Sequence, residues 1–321
     1  MDNAIWLTWE NQIRNKSLSS MLGVKLHVFE YDGNRALRYI VCIINTLTLI
    51  ARKRPNIVFA QNPSILLIYL LLVCRLLFRY KLVCDAHYVG IKSSSGNKMY
   101  QAVLDMSNKL VDLVIVTNVE HQRYVRSIGG SAVVCEDPLP DIVSHYAEEI
   151  EHAKTIYFIC SFDVDEPFNV AFDAARLLAE DNYCFHVTGN YKKVKIDPDE
   201  YSYINFLGYI PTDQYYKNLY SCSVVLDLTN NENCLVCGAY EAMVAEKPLV
   251  TSNTSSLKNY FTKGTVFTSH SAIEIANAVK RAYQNRDLLK NEIKDWKQDV
   301  YNQQNDKKAN IYRELGVGTR F

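Results

Sequence analysis

The sequence predicts an α/β chain of two domains, each built on a mostly parallel sheet with helices on both faces. Strand-length apolar runs alternate with helix-length segments along most of the chain. The length, 321 residues, is enough for about two domains that each bury a core. Pro138 and Pro140 break the alternation once, because proline suits neither a helix interior nor a central strand.

The first domain is expected over residues 1–140. Its strands read as Ala4 to Trp9, Lys25 to Tyr31, Asn56 to Gln61, Lys81 to His87, Leu113 to Asn118 and Ala132 to Glu136, with helices near 35–53, 63–78, 97–110 and 119–128. The segment from Trp9 to Arg14 reads as the loop after the first strand. Asn62 followed by Pro63 has the pattern of an N-cap and a first-turn proline. The apolar run from Ile65 stops at Arg75, short of the roughly 20 residues a membrane-crossing helix needs. It predicts a helix buried against the sheet.

The second domain is expected over residues 150–299. Strands at Thr155 to Ser161 and Tyr183 to Gly189 flank a helix near 167–180. The run from Ile204 to Tyr209 carries Gly208 near its end and is followed by Pro211, a polar and aromatic helix, and the strand Val224 to Leu228, which breaks at Asn230 and Asn231. A helix around Glu241, a strand from Pro248 to Thr251 and helices near 271–284 and 287–314 complete the order. In such sheets ligands gather beyond the carboxyl ends of the strands, and a helix N-terminus there offers free N–H groups to an anion.

The composition, 48% hydrophobic and 22% charged, is that of an ordinary globular chain. Nine cysteines are scattered, and Cys42, Cys74, Cys84 and Cys160 lie in apolar runs, which suits reduced core residues better than a disulfide framework. The start does not read as a cleavable signal segment, so a cytoplasmic location is expected. The net charge of zero conceals an asymmetry: residues 1–140 hold 16 Lys plus Arg against 10 Asp plus Glu, and the remainder 19 against 25. Several cations (Arg35, Arg38, Arg52, Lys53, Arg54, Arg75, Arg79) stand beside apolar helices. They read either as solvated helix ends or as a basic, apolar surface suited to an anionic membrane face or a phosphate-bearing acceptor.

The sharpest local site runs from Asn233 to Glu241. Backbone N–H groups of Cys234, Leu235, Val236, Cys237 and Gly238 would head the helix that bears Glu241, and a carboxylate there can accept hydrogen bonds from two hydroxyls. Cys234 and Cys237 form a C-x-x-C, yet no second pair at metal-ligand spacing accompanies them. No G-x-G-x-x-G follows a predicted strand, which disfavours a nicotinamide-dependent oxidoreductase.

The phrases FLGYIP (Phe206 to Pro211), EAM (Glu241 to Met243) and KPLVTS (Lys247 to Ser252) resemble, in this order and spacing, the donor-binding half of nucleotide-sugar glycosyltransferases of the GT-B fold, glycosyl transferases group 1 or family 4-like. Gln61, Asn62, Pro63 and Asp85, Ala86, His87 are also similar to segments of the lipid-linked chitobiose beta-mannosyltransferases. The resemblance implies two Rossmann-like domains facing a cleft, the first binding the acceptor and the second the donor, with the terminal helix, about 300–321, returning to the first. It implies hexosyl transfer from a UDP-sugar or GDP-sugar to a hydroxyl of a glycan or lipid-linked acceptor in cell-surface polysaccharide or glycoconjugate synthesis. It implies no cofactor, no metal and no nucleic-acid partner, while the cations beside its apolar helices make the basic domain the candidate for peripheral membrane contact.

Carried over residue by residue, the resemblance places Glu241 on the nucleotide ribose, Asn233 where many retaining relatives have a sugar-contacting glutamate, and Ser161, Gly189 and Asn190 beside the donor. It makes Asp85 the candidate base of an inverting reaction and His87 a contact to the donor sugar or a proton acceptor. Glu10 and Arg14 fall where acceptors often bind. Asp163 and Asp165 mimic a metal-binding D-x-D of single-domain glycosyltransferases, a class that a two-domain chain does not fit. The Arg and Lys that many relatives place after the first strand of the donor domain are missing, which leaves helix N-termini, or Lys192, Lys193 or Lys247, to stabilise the departing diphosphate. The alternative is a catalytically impaired, nucleotide-binding or scaffold protein on the same fold.

Overall fold

A computed structural model describes residues 3–316, apart from 32, 63, 87, 94–95, 141, 143–145 and 147–149. The chain divides into two compact units, one formed by Met1–Pro138 with Asn302–Phe321, the other by Leu139–Tyr301.

The first unit contains β1 (Ala4–Thr8), α1 (Ile13–Leu22), β2 (Lys25–Val28), α2 (Arg35–Lys53), β3 (Ile57–Asn62), α3 (Ile65–Phe78), β4 (Lys81–Ala86), α4 (Tyr88–Ile91), α5 (Lys98–Leu110), β5 (Leu113–Val116), α6 (Val119–Ser127) and β6 (Ala132–Val134). The strands form one parallel sheet in the order β2-β1-β3-β4-β5-β6. Alternate residues feed opposite faces, as the pleat requires. Ile5, Leu7, Val58, Ala60 and Leu82 pack with Leu67 and Leu71 of α3, while Trp6, Phe59 and Val83 pack with Leu18 of α1 on the other face. Both faces are covered, so β3 is buried along its whole length.

Two details differ from the sequence reading. Asn62 is the last residue of β3, its amide donating to the Gly90 carbonyl at 3.3 Å, and Ser64 is the N-cap of α3; Pro63 lies outside the described residues. The stretch from Trp9 is only a short connection, because α1 begins at Ile13 and Arg14 is helical.

The second unit contains β7 (Thr155–Phe158), α7 (Phe168–Ala179), β8 (Cys184–Thr188), β9 (Ile204–Gly208), α8 (Thr212–Ser221), β10 (Val224–Asp227), α9 (Cys237–Val244), β11 (Leu249–Ser252), α10 (Ser255–Tyr260), β12 (Thr265–Thr268), α11 (Ala272–Gln284) and α12 (Arg286–Glu314). Its parallel sheet has the order β12-β11-β10-β7-β8-β9. The chain enters at the centre, runs outward through β8 and β9, then returns to the other side of β7. The order therefore reverses between β7 and β10, the place where an open α/β sheet leaves a crevice for a ligand.

The edge strand β12 and the short α10 had no signal strong enough to predict them. The long α12 begins in the second unit, and its residues from Asn302 onward belong to the first. There Ile311, Tyr312 and Leu315 close the Trp6 face of the first sheet, the Tyr312 hydroxyl donates to the Leu22 carbonyl at 2.6 Å, and Lys307 pairs with Glu136 at 2.7 Å. Among the described residues no helix is long and apolar enough to cross a membrane.

Candidate functional site

A cavity of about 650 Å³ opens beyond the carboxyl ends of β7, β8, β9 and β10, at the strand-order reversal. Ile159, Cys160 and Ser161 enter it from β7, Thr188, Gly189 and Asn190 from β8, and Gly208, Tyr209 and Ile210 from β9. Asp227, Leu228 and Thr229 follow from β10, and Cys234 to Gly238 close it with the start of α9. Gly189 has φ +90°, and a Cβ there would stand 2.0 Å from the Cys160 carbonyl oxygen. Only glycine lets the β7 and β8 ends approach this closely. Gly238 meets a similar limit, since its Cβ would lie 2.6 Å from Asp227 Oδ2 and 2.8 Å from Ile159.

The first turn of α9 already holds one carboxyl group. Asp227 accepts from the backbone N–H groups of Gly238 and Ala239. Burial, then the nearby Glu166 and Glu241, push its carboxyl well above the usual range, against the pull of those two N–H groups. Glu241, one turn further along α9, accepts a hydrogen bond from the Tyr215 hydroxyl. Burial pushes the Glu241 carboxyl up to about 7, and the Tyr215 hydrogen bond holds it back from rising further. Glu166 folds over the turn after β7, where its carboxylate accepts from the N–H groups of Ser161 and Asp163 at 3.0 and 2.9 Å and from the Ser161 hydroxyl at 3.0 Å. This turn is thus built around the chain's own anion.

Of the expected donor residues, Ser161, Gly189, Asn190, Cys234, Leu235, Val236, Cys237 and Gly238 are all in the cavity wall. Asn233 and Glu241 are not: the Asn233 N–H donates to Asn231 Oδ1 at 3.2 Å, and Tyr215 stands in the wall with Glu241 as its partner. The aspartates of the D-x-D serve the loop, Asp163 pairing with Lys193 and Asp165 accepting from the Thr229 hydroxyl at 2.9 Å. Lys247 is corrected as a candidate for the diphosphate. It precedes β11, at the amino ends of the strands and so away from the cavity, where it is buried and pairs with Glu151 at 3.0 Å. Among the described residues that line the cavity none is Lys or Arg. Among the described residues no group of three or more His, Cys, Asp or Glu is arranged to hold a metal ion.

Among the wall residues that escaped the sequence reading are Glu166, Tyr209, Tyr215 and Asp227. Tyr209 and Asp227 had a usable signal, because each stands at the carboxyl end of a predicted strand. Tyr209 is 92% exposed, an apolar ring held out at the cavity rim.

In the first unit, Asp85 closes β4 but is not a free base. Its carboxylate is 1% exposed and accepts from Arg14 Nε and Nη2, the latter at 2.7 Å, while Arg14 also pairs with Asp137. Burial works against the Arg14 charge, and Asp137 and Asp85 outweigh it, so the guanidinium pKa stands well above its ordinary value. The same contacts correct Arg14 as an acceptor ligand, because its donors are spent on the two aspartates and the Cys135 carbonyl. His87 lies outside the described residues. Glu10 lines a smaller cavity of about 290 Å³ with Trp9, Asn11, Glu30, Tyr31 and Arg38, at the carboxyl ends of β1 and β2.

Residues 153–285 match the family model described as Glycosyl transferases group 1. Anabaena HepE in complex with UDP and glucose is similar in structure at TM-score 0.73 and 12% identity, covering 98% of this chain and 100% of that one. Sucrose-phosphate synthase from Thermosynechococcus elongatus gives 0.72 at 14% identity over 98% of this chain and 99% of that one. A glycosyltransferase from Rickettsia africae gives 0.69 at 13% identity over 99% and 100%. The two parallel-sheet units are those of the GT-B fold. No curated protein sequence matches the chain.

Proposed function

We propose that the protein is a glycosyltransferase that moves a hexosyl group from a nucleotide diphosphate sugar, a UDP-sugar or GDP-sugar, to a hydroxyl of a glycan or lipid-linked acceptor in cell-surface polysaccharide or glycoconjugate synthesis. The observation that carries this reading is the cavity at the β7/β10 reversal, inside the segment that matches the family and large enough for a nucleotide. The UDP and glucose bound by the HepE structure add support for a donor of this class.

In this reading the base lies against the exposed ring of Tyr209 and the phosphates approach the backbone of Leu235 and Val236, because the Gly238 N–H is held by Asp227 and the Cys234 N–H by the Asn231 carbonyl. Glu241 acts through Tyr215 rather than from the wall, fixing the rim that faces the ribose. Arg14 and Asp85 hold the end of β4 in place, and His87, the next residue but one after Asp85, is the candidate for the proton or sugar contact. Glu10 borders the acceptor. No cofactor and no metal takes part, and the departing diphosphate is stabilised by backbone N–H groups. A thermal-shift series with UDP, GDP and their sugars tests the donor, since a ligand that binds only the folded chain raises its melting temperature. A shift with one nucleoside diphosphate is expected, and its absence with all of them counts against the reading.

A second reading, a nucleotide-binding protein impaired in transfer, is favoured by two observations. Asn233 stands where many retaining relatives carry a carboxylate, and the cavity wall has carboxylates (Asp163, Asp165, Glu166, Asp227) without a described cation among its residues. Donor hydrolysis or transfer measured with the nucleotide that binds separates the two, because binding without turnover is the mark of the second.

A further inference from the structure

The helices on one face of the first sheet leave an apolar layer uncovered. α2 packs on α3, and α3 on α5. The Tyr69 hydroxyl of α3 donates to the Val103 carbonyl of α5 at 3.0 Å, so α3 lies between the other two. α2 and α3 each bury one stripe against the sheet, and all three helices turn an apolar stripe to solvent. On α2 the outer stripe is Leu37, Ile40, Ile44 and Leu47, all exposed and spaced at three or four residues. On α3, Leu76 and Leu77 are each 78% exposed, with Leu66 and Val73 above them. On α5, Met99 is 77% exposed and shares its face with Val103, Met106 and Leu110. Single exposed apolar residues are ordinary, but a layer of them across three adjacent helices marks an interaction surface.

The charge around this layer is predominantly positive, although Asp112 at its border pairs with Arg75 at 2.7 Å. α2 and α3 contain no Asp or Glu, while Arg35, Arg38, Arg52 and Lys53 stand in α2 and Arg75 in α3. Lys98 and Lys109 belong to α5. Its one acid, Asp105, is turned inward, accepting from the Tyr124 hydroxyl of α6 at 2.9 Å and the Gln101 amide at 2.7 Å. A second copy seated on this face would set cations against cations. An anionic bilayer surface suits both features, because its hydrocarbon boundary accepts the leucine and isoleucine stripes and its headgroups accept the surrounding cations.

We propose that the outer face of α2, α3 and α5 docks onto an anionic membrane surface, lying on it rather than crossing it. This inference is independent of the donor site, which belongs to the other unit, and it deepens the proposed function by bringing a lipid-linked acceptor to the plane of the enzyme.

The test is co-sedimentation of the full chain with phosphatidylcholine vesicles, with and without added phosphatidylglycerol, at low and high salt. Binding is expected only with the anionic lipid and is expected to weaken with salt. Arg52→Glu together with Lys53→Glu is expected to weaken it by at least about fivefold for each cation removed. Ile44→Asp with Leu76→Asp is expected to abolish it at either salt. All four positions are solvent-facing, so the melting temperature and any nucleotide-induced shift stay as in the wild type and report folding and donor binding separately. Equal binding to both vesicle types, vesicle binding unchanged in the variants, or a soluble wild type that forms dimers broken by Ile44→Asp with Leu76→Asp would each overturn the proposal.

Discussion

The carboxyl group of Asp227 caps the N–H groups of Gly238 and Ala239, and a Cβ on Gly238 would stand 2.6 Å from its Oδ2. The end of β10 and the start of α9 are therefore fitted to each other at a distance that only glycine allows. A helical Gly→Ala change ordinarily gains up to about 1 kcal/mol. Here the methyl group must displace Asp227 and Ile159, and overpacking of that kind costs about 1–3 kcal/mol. Gly238→Ala is expected to lower stability in urea unfolding and to weaken nucleotide binding with it. A stabilised variant with unchanged affinity would show that the cap is loose.

Glu241 gives a pH dependence with a definite sign. Its folded-state pKa is raised from the ordinary glutamate value to about 7, so the folded form holds the proton more tightly than the unfolded chain. The contribution is complete at acid pH and is lost as pH rises from the ordinary glutamate range through about 7. Glu241→Gln is neutral at every pH and lacks that loss. Above neutrality it is expected to be more stable than the wild type by on the order of 1–3 kcal/mol. Thermal melts of both proteins across this range check it, and parallel curves would refute the assignment.

Arg14, between Asp85 and Asp137, is expected to be a structural group. Arg14→Met leaves Asp85 buried without its main partner, a change that costs about 3–5 kcal/mol. Trp6 and Trp9 report on this unit by fluorescence during unfolding, while nucleotide binding by the other unit is expected to be retained. Asp85→Asn keeps an acceptor and costs less. An Asp85→Asn protein that is fully stable yet inactive in transfer would instead restore Asp85 as a base.

Tyr209→Ala removes an exposed ring, so stability is expected to change by less than about 0.5 kcal/mol. If the nucleotide base stacks on that ring, affinity falls by about 1–3 kcal/mol, roughly five- to a hundredfold or more. Paired titrations of the wild type and variant separate the two effects.

Most strands and their parallel sense were legible because each buried strand is a short apolar run between polar or glycine-rich breaks, as Val224 to Leu228 is before Asn230, and helix-length segments separate them. The helix bearing Glu241 was legible too, but it starts at Cys237, so Cys234 to Val236 precede it, and the cap that Asp227 places on its first turn was not foreseen. What the pattern could not supply was pairing in space. Arg14 and Asp85 are 71 residues apart, and nothing local in either segment reveals that they bond to each other. Tyr215 and Glu241, 26 residues apart, are coupled in the same way. The strand β12 was missed because Thr265 to Thr268 is short and lies at the sheet edge, where the apolar signal is weakest.

Isothermal titration of the full chain with UDP, GDP and their sugars tests the donor cavity most directly. One-site binding by one of these nucleotides, weakened by Tyr209→Ala in a protein that melts as the wild type does, is the predicted result. A folded protein that binds none of them would contradict it.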